Sequence, residues 1–115
     1  MTSGLRLPRA ARIRDEESLG ALRRAPRVRG RWFVVAAMPN ELDESRIAIR
    51  VAKKVLKSAV ARNRIRRCAR EVFRHLRPQL PPTDFLVSLI RPYREATLQP
   101  ARQELERLLV QAARR

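Results

Sequence analysis

The sequence contains few of the residues that build disulfide frameworks, metal clusters or membrane spans. Cys68 is the only cysteine and His75 the only histidine, which excludes an internal disulfide and a Cys/His metal cluster. No stretch approaches the roughly 18 consecutive apolar residues of a membrane-spanning helix, and arginines interrupt the first thirty residues. We therefore expect neither a secretory signal nor a membrane span, and we predict a cytoplasmic protein.

Groups for acid–base catalysis are equally scarce. Only 11 residues are Asp or Glu, and neither a Ser/His/Asp set nor a carboxylate cluster stands at a spacing that suits such chemistry. Glu41, Asp43 and Glu44 fall in one predicted turn, where they could bind a metal ion or simply be solvated. We favour solvation, and we therefore predict no catalytic residue and no metal ligand in the chain.

Positive charge, in contrast, is abundant. Lys and Arg total 27 against 11 acidic residues, a formal net charge of +16. Self-repulsion on that scale does not stabilise a fold, and nucleic acid is the polyanion that most often neutralises it. Only three of the cations are lysines. The arginine bias suits RNA, because guanidinium groups contact phosphate bidentately and stack on bases, but it could equally reflect genome base composition.

The length of 115 residues predicts one domain, residues 1–115, in the class of small two-layer α+β sandwiches. Residues 1–14 hold four arginines and no acid, so we expect a flexible basic arm there. The patterning predicts the order α-β-β-α-β-α, with the first two strands paired as an antiparallel hairpin. The predicted elements are a helix from Asp15 or Ser18 to about Arg24, strands over 31–38, 46–52 and 84–90, a helix from Ser58 to about Leu76, and a final helix capped by Thr97.

The helix predicted after Ser58 carries the most informative pattern. Residues 53–77 contain ten cations and one acid, Glu71. At about 100° per residue, the apolar side chains gather on one side of this helix and most of the cations on the other. A solvated face usually mixes acids among its bases, so a face of one sign predicts a binding surface. The apolar side holds Ile65, Cys68, Ala69, Val72 and Leu76, and the opposite side holds Asn63, Arg66, Arg67, Arg70 and Arg74.

Such a face could bind nucleic acid, an anionic membrane or an acidic protein. A membrane-bound helix would carry Trp, Phe or Leu opposite its charges, whereas a DNA-reading helix usually belongs to a helix-turn-helix or zinc scaffold. This helix has neither context, since its predicted neighbours are strands. RNA is therefore the preferred ligand. Ribosomal or RNA-chaperone proteins and protein-only nucleases stay as alternatives.

Residues 46–74, RIAIRVAKKVLKSAVARNRIRRCAREVFR, resemble the signature of the bacterial ribonuclease P protein subunit. The resemblance continues through LPPTDFLVSLIRP (80–92) and covers about residues 44–112. A lone RNR would carry no weight, whereas this ordered array at matching separations is specific. The matching residues are the strand-end pair Lys53-Lys54, the RNR motif Arg62-Asn63-Arg64, and then Arg66, Arg67, Arg70 and Glu71.

The resemblance implies an αβββαβα sandwich with a left-handed βαβ crossover around the basic helix, a fold of the ribosomal protein S5 domain 2-like kind. The residue pattern by itself would give the usual right-handed crossover, so the handedness comes from the resemblance alone. The fold also implies a fourth, short strand, which would lie near Arg27–Arg29.

The same resemblance implies a function in tRNA processing. The protein subunit of ribonuclease P, an endoribonuclease, assists removal of the 5′ leader from precursor tRNA. The active site would lie in the partner RNA, which would bind the Mg²⁺ cofactor, and protein and RNA would form a heterodimeric ribonucleoprotein. Precursor tRNA would be the second partner, other small RNAs could be further substrates, and no membrane partner is implied.

Two RNA-binding surfaces are implied. A cleft between the first helix and the sheet would bind the 5′ leader through Leu19, Arg23, Trp32, Ala36 and Arg50, although the family often has aromatic residues where this chain has Leu19, Arg23 and Ala36. Trp32, expected on the same strand face as Ala36, is either a substitute stacking platform or a core residue. The surface for the catalytic RNA would comprise Lys53, Lys54, Lys57, Arg62, Asn63, Arg64, Arg66, Arg67, Arg70 and Arg74.

Overall fold

A computed structural model describes residues 7–114 of the chain. Within that range the elements follow the order αβββαβα, which confirms the predicted α+β class, and the short first strand lies where the resemblance placed it. The helices are α1 (Glu16–Arg23), α2 (Ala59–Leu76) and α3 (Leu98–Ala113), and the strands are β1 (Arg27–Arg29), β2 (Phe33–Pro39), β3 (Arg46–Arg50) and β4 (Thr83–Leu89). In this part of the chain, no helix combines the length and the apolar character needed to cross a membrane.

The four strands form one sheet in the order β1-β2-β4-β3. Strand β2 is antiparallel to β1 and β4, whereas β3 is parallel to β4, so the predicted hairpin between β2 and β3 is wrong. Strand β4 is apolar on both faces, and nearly all of its side chains are buried. This character suits its position inside the sheet, between β2 and β3. Helix α2 connects β3 to β4 as a βαβ crossover; its left-handedness stays a prediction of the resemblance.

The sheet buries a different apolar cluster on each face. Helices α2 and α3 pack against one face, where Phe73 of α2 meets Phe85 of β4 edge to face at 5.9 Å between ring centroids. Helix α1 packs against the other face through Leu22, which contacts a small cluster that includes Ala36 and Leu86. The positions of Ile65, Ala69 and Val72 on the buried side of α2 confirm its predicted apolar face, to which the structure adds Phe73.

Local capping interactions fix where the helices begin. The Asp15 side chain accepts a hydrogen bond from the Ser18 backbone N–H at 2.8 Å, so Asp15 rather than Ser18 caps α1. The Ser58 hydroxyl accepts from the Ala61 N–H at 3.1 Å and caps α2 as predicted. Thr97 precedes α3 as predicted, but its hydroxyl accepts from the Arg94 N–H at 2.8 Å, because a 3₁₀ turn over Glu95–Thr97 leads into the helix.

Residues 7–14 lie along the open edge of β3. The predicted flexible arm is wrong for this segment, because Leu7, Ala11 and Ile13 are buried. The Ile13 N–H donates to the Ile47 carbonyl at 2.9 Å, which pairs the segment with β3. The apolar side chains among its arginines therefore anchor it, and residues 1–6 lie outside the described range.

The carboxylate of Glu104 on α3 organises the turn between β1 and β2. It accepts hydrogen bonds from the backbone N–H groups of Arg31, Trp32 and Phe33 at 2.7, 2.8 and 2.9 Å. Glu104 is only 4% exposed, so these bonds satisfy donors that water reaches poorly. A Cβ atom on Gly30 would lie 2.4–2.8 Å from the carboxylate, which explains the glycine at this position.

An ion pair joins the start of β3 to β4 and to α1. Arg46 donates from Nε and Nη2 to the two oxygens of Asp84 at 3.0 and 2.6 Å, and the Asp84 side chain is 7% exposed. The Nη2 group also lies 3.3 Å from the Ser18 hydroxyl in α1. The hydrogen bond to Asp84 raises the pKa of Arg46. The bidentate contact therefore ties β3 to β4, and the further contact with Ser18 links this pair to α1.

Candidate RNA interface

The loop before α2 presents the three lysines of the chain. Lys53, Lys54 and Lys57 are exposed, and Arg62 from the first turns of α2 fixes the end of this loop by donating to the carbonyls of Leu56 and Lys57 at 3.0 and 2.8 Å. The first turn of α2 carries no acid. The positive end of the helix dipole and the lysines therefore both raise the electrostatic potential at the N-terminus of α2.

The outer face of α2, defined here as Asn63, Arg66, Arg67, Arg70 and Arg74, lies opposite the buried face. Arg67 and Asn63 are exposed, and Arg66 donates to the Asn63 side chain at 3.2 Å. Arg74 pairs with Glu71, the one acid of the helix, at 2.9 Å. The predicted clustering of these side chains is therefore what the helix shows.

Arg64 lies on the other flank of α2 and contacts the segment before α3. Its guanidinium donates to both carboxylate oxygens of Glu95 at 2.6 and 3.0 Å, which raises its pKa. The Tyr93 hydroxyl donates to the Ala61 carbonyl at 2.9 Å in the same region. The RNR motif is therefore divided: Arg62 supports the loop, Asn63 is on the outer face and Arg64 pairs with Glu95.

A groove of about 540 Å³ opens beside the outer face of α2, between α1, the β3 edge and α2. Aliphatic side chains such as Leu19, Ile49 and Leu86 form its floor. Among the described residues that line it, none is acidic or aromatic. Its polar lining consists of six arginines: Arg12, Arg14, Arg23, Arg50, Arg66 and Arg70.

The arginines of the groove are close enough to perturb one another. Burial, followed by repulsion from Arg12, Arg66 and Arg67, lowers the pKa of Arg70. The Nε atom of Arg12 is buried and has no hydrogen-bond partner within the described residues. An anion placed among these side chains would relieve both the repulsion and the unpaired donor.

The donor set for a protein-bound metal ion is poor. Within residues 7–114, no group of three or more His, Cys, Asp or Glu side chains converges on a common point. Glu41, Asp43 and Glu44 are exposed, and Glu44 pairs with Arg77 at 2.8 Å. These carboxylates therefore do not form a multi-ligand metal cluster within residues 7–114.

Comparisons with known proteins identify the family of the chain that carries this basic surface. The family model for Ribonuclease P matches residues 7–113. The chain belongs to the ribonuclease P protein family. Among its relatives, the ribonuclease P protein component of Azoarcus sp. is 43% identical over 91 residues, covering 79% of this chain and 74% of that protein. The component of Halorhodospira halophila is 36% identical over 110 residues, covering 91% and 90%.

Solved structures give the same result for the fold. The RNase P protein of Staphylococcus aureus superposes with a TM-score of 0.69 at 28% identity, covering 92% of this chain and 94% of that one. Membership of the ribonuclease P protein family assigns the chain to tRNA processing, as a component of an endoribonuclease complex.

The structure brings together only part of the predicted leader cleft. Leu19, Arg23 and Arg50 line the groove, next to Arg66 and Arg70 of α2. Ala36 is 2% exposed, covered by α1, and Trp32 belongs to the cluster on the opposite face of the sheet. The expected shared face of Trp32 and Ala36 is therefore wrong, and neither residue lines the groove.

Sequence reasoning missed Arg12 and Arg14. Both line the groove because residues 7–14 follow the β3 edge. A signal was present, since Leu7, Ala11 and Ile13 interrupt the arginines of this segment with apolar side chains. The segment is too short for periodicity to distinguish an anchored chain from a solvated one.

Proposed function

We propose that this chain is the protein subunit of a ribonuclease P whose active site lies in a partner RNA. The protein binds that catalytic RNA and the 5′ leader of precursor tRNA, and so assists Mg²⁺-dependent release of the leader. The holoenzyme is a heterodimeric ribonucleoprotein, and small RNAs other than tRNA precursors are within its substrate range.

The observation that carries this proposal is the pair of adjoining cationic surfaces. The outer face of α2 and the groove share Arg66 and Arg70, so one RNA on the helix and a second strand in the groove would lie side by side. Among the described residues, two cations of these surfaces pair with an acid: Arg74 with Glu71 on the helix and Arg23 with Glu16 at the groove. Phosphate contacts of this kind position RNA without reading its sequence.

We assign the two surfaces to the two RNAs. The catalytic RNA contacts the outer face of α2, which spans about three helical turns, together with the exposed Lys53, Lys54 and Lys57. The leader lies in the groove. Arg64 reaches the catalytic RNA from the flank, exchanging its exposed pairing with Glu95 for a phosphate, because such surface pairs contribute little.

In this proposal the Mg²⁺ ions are bound by the partner RNA rather than by the protein. The described side chains offer no site of three or more ligands, whereas RNA phosphates supply the oxygen ligands that Mg²⁺ prefers. The protein lowers the Mg²⁺ requirement by contributing cations to the same polyanionic assembly.

Reconstitution with a bacterial ribonuclease P RNA tests the proposal. Adding the chain at low Mg²⁺ should increase 5′ cleavage of precursor tRNA, and the protein without RNA should cleave nothing. Arg67→Gln should weaken binding of the catalytic RNA about tenfold or less. It should also reduce the slope of log binding constant against log salt concentration by about one, the value for a single phosphate contact. Arg107→Gln is the matched control, since it removes the same charge from an exposed position on α3.

Two results would replace the proposal with another function. RNA binding without any gain in 5′ cleavage would favour a general RNA-binding module, such as a ribosomal or chaperone protein. Cleavage by the protein alone would identify a protein-only nuclease and would require catalytic side chains that the described residues do not bring together.

A further inference from the structure

The aromatic side chains of this chain are all placed away from the groove. Five residues of the sequence are aromatic. Trp32, Phe33, Phe73 and Phe85 are buried in the cluster on the α2/α3 face of the sheet, and Tyr93 packs against the same cluster. A base that enters the groove therefore meets guanidinium groups and aliphatic side chains, with no aromatic ring on which to stack.

Three of the six arginines that line the groove lie close to one another. Arg66 and Arg70 stand one turn apart on α2, and Arg12 approaches Arg70 from the segment paired with β3. Burial, and then repulsion from these neighbours and from Arg67, lowers the pKa of Arg70, and the Nε donor of Arg12 is buried and unpaired within the described structure. Three guanidinium groups with no neutralising carboxylate form a site for an anion held between two elements of the fold.

We infer that the groove recognises a single strand of RNA through its backbone phosphates and not through its bases, with Arg12, Arg66 and Arg70 binding one phosphate jointly. This inference rests on the proposed function, in which the strand is the 5′ leader. Stacking on aromatic side chains gives single-strand sites much of their base-dependent affinity. Without it, binding depends on charge, is steeply salt-dependent and tolerates any leader sequence.

The test compares three precursor tRNAs in the reconstituted holoenzyme. One carries an ordinary leader, the second a leader of the same length without bases, and the third a leader with neutral methylphosphonate linkages. Mature tRNA without a leader gives the baseline. We expect the abasic leader to bind within about twofold of the ordinary one, and the neutral leader to lose tenfold or more.

Variants locate the effect within the protein. Arg12→Gln should weaken leader binding by about tenfold, lower the salt slope by about 0.7 for a single-stranded ligand, and leave affinity for the catalytic RNA unchanged. Arg12→Lys retains the charge but loses the fork geometry, so an intermediate loss is expected. Arg107→Gln, on α3 and outside the groove lining, should not change leader binding. Unfolding midpoints measured in urea verify that each variant is folded.

The outcomes separate this inference from the proposed function. If the precursor binds no better than mature tRNA, leader binding itself is refuted. If leader binding is present but the abasic leader loses as much as the neutral one, the bases are being read and the inference alone fails. Equal effects of Arg12→Gln and Arg107→Gln would likewise overturn the phosphate site while leaving the proposed function intact.

Discussion

Replacing Glu104 by alanine should remove the hydrogen bonds that hold the β1–β2 turn and should destabilise the protein. Its carboxylate accepts backbone N–H groups from Arg31, Trp32 and Phe33, two of them fully buried. An unsatisfied buried donor costs about 1–3 kcal/mol, so leaving the two buried donors without an acceptor should lower the free energy of unfolding by about 2–6 kcal/mol. A chain of this size has a total of roughly 6–17 kcal/mol at the usual per-residue value.

Urea unfolding followed by fluorescence of Trp32, the only tryptophan, measures this loss. With a slope of about 1.5 kcal/mol/M, the midpoint should fall by about 1–4 M. Glu106→Ala is the matched control, because Glu106 is exposed on the same helix and the replacement has the same helix propensity; it should change stability by less than about 0.5 kcal/mol. A loss below about 1 kcal/mol for Glu104→Ala at an unchanged slope would refute the reasoning.

A double-mutant cycle sharpens the same prediction. Gly30→Ala places a Cβ within 2.4–2.8 Å of the Glu104 carboxylate, so it should destabilise the protein when Glu104 is present. In the Glu104→Ala background the clash is absent, and Gly30→Ala should then cost little. Additive losses would show that Gly30 is required for another reason.

Two further predictions concern the charged contacts at the start of α1 and β3. Asp84→Asn removes the nearer carboxylate beside Arg46 and leaves it with the more distant Asp15 at 3.9 Å, so it should destabilise the protein by about 2–4 kcal/mol, whereas replacing both Arg46 and Asp84 by apolar residues should cost less. Urea midpoints measure both losses, and equal losses would contradict the ion-pair argument. The hydrogen bond from Ser18 lowers the pKa of Asp15 below its ordinary value of 3.8, so the unfolded state binds more protons in acid. The stabilisation by Asp15 is therefore present near neutral pH and lost as the pH falls below about 4, and Asp15→Ala should flatten the acid limb of the stability curve.

Local patterns in the sequence were sufficient to predict helix caps and buried faces, because these features depend on residues close together in the chain. The Ser58 cap and the two faces of α2 follow from helical spacing and from capping chemistry. The alternation of Ile47, Ile49 and Val51 likewise predicts that these side chains face the core; Ile47 and Val51 are buried, and Ile49 is half-buried against the same cluster. These features depend on residues within one or two turns or pleats, which a single sequence displays.

The pairing of the strands could not be read in the same way. Alternation in β3 shows which face is buried but not which strand lies beside it, and sequential strands are usually neighbours. Here β4 separates β2 from β3. The continuous apolar run over residues 84–90 is typical of a strand buried on both faces, yet nothing local indicates that β3 pairs with it in parallel.

Trp32 shows a second limit of pattern reasoning. The alternation rule placed it on the face of Ala36, but β2 begins at Phe33, and the Trp32 N–H bonds to Glu104 rather than to a neighbouring strand. Beyond the end of a strand the period of two no longer applies. The residue that decides the position of Trp32 is 72 positions away, so no local signal could have identified it.

The contact between Glu104 and the β1–β2 turn also affects when the protein can fold during its synthesis. The acceptor for three N–H groups near residue 32, and the central strand β4, both come from the last third of the chain. The N-terminal half therefore leaves the ribosome with its backbone donors and apolar strand faces uncovered, and contacts of such long sequence separation form late. We therefore expect the domain to close only when α3 has emerged, and a nascent chain that stalls before Glu104 to be prone to aggregation.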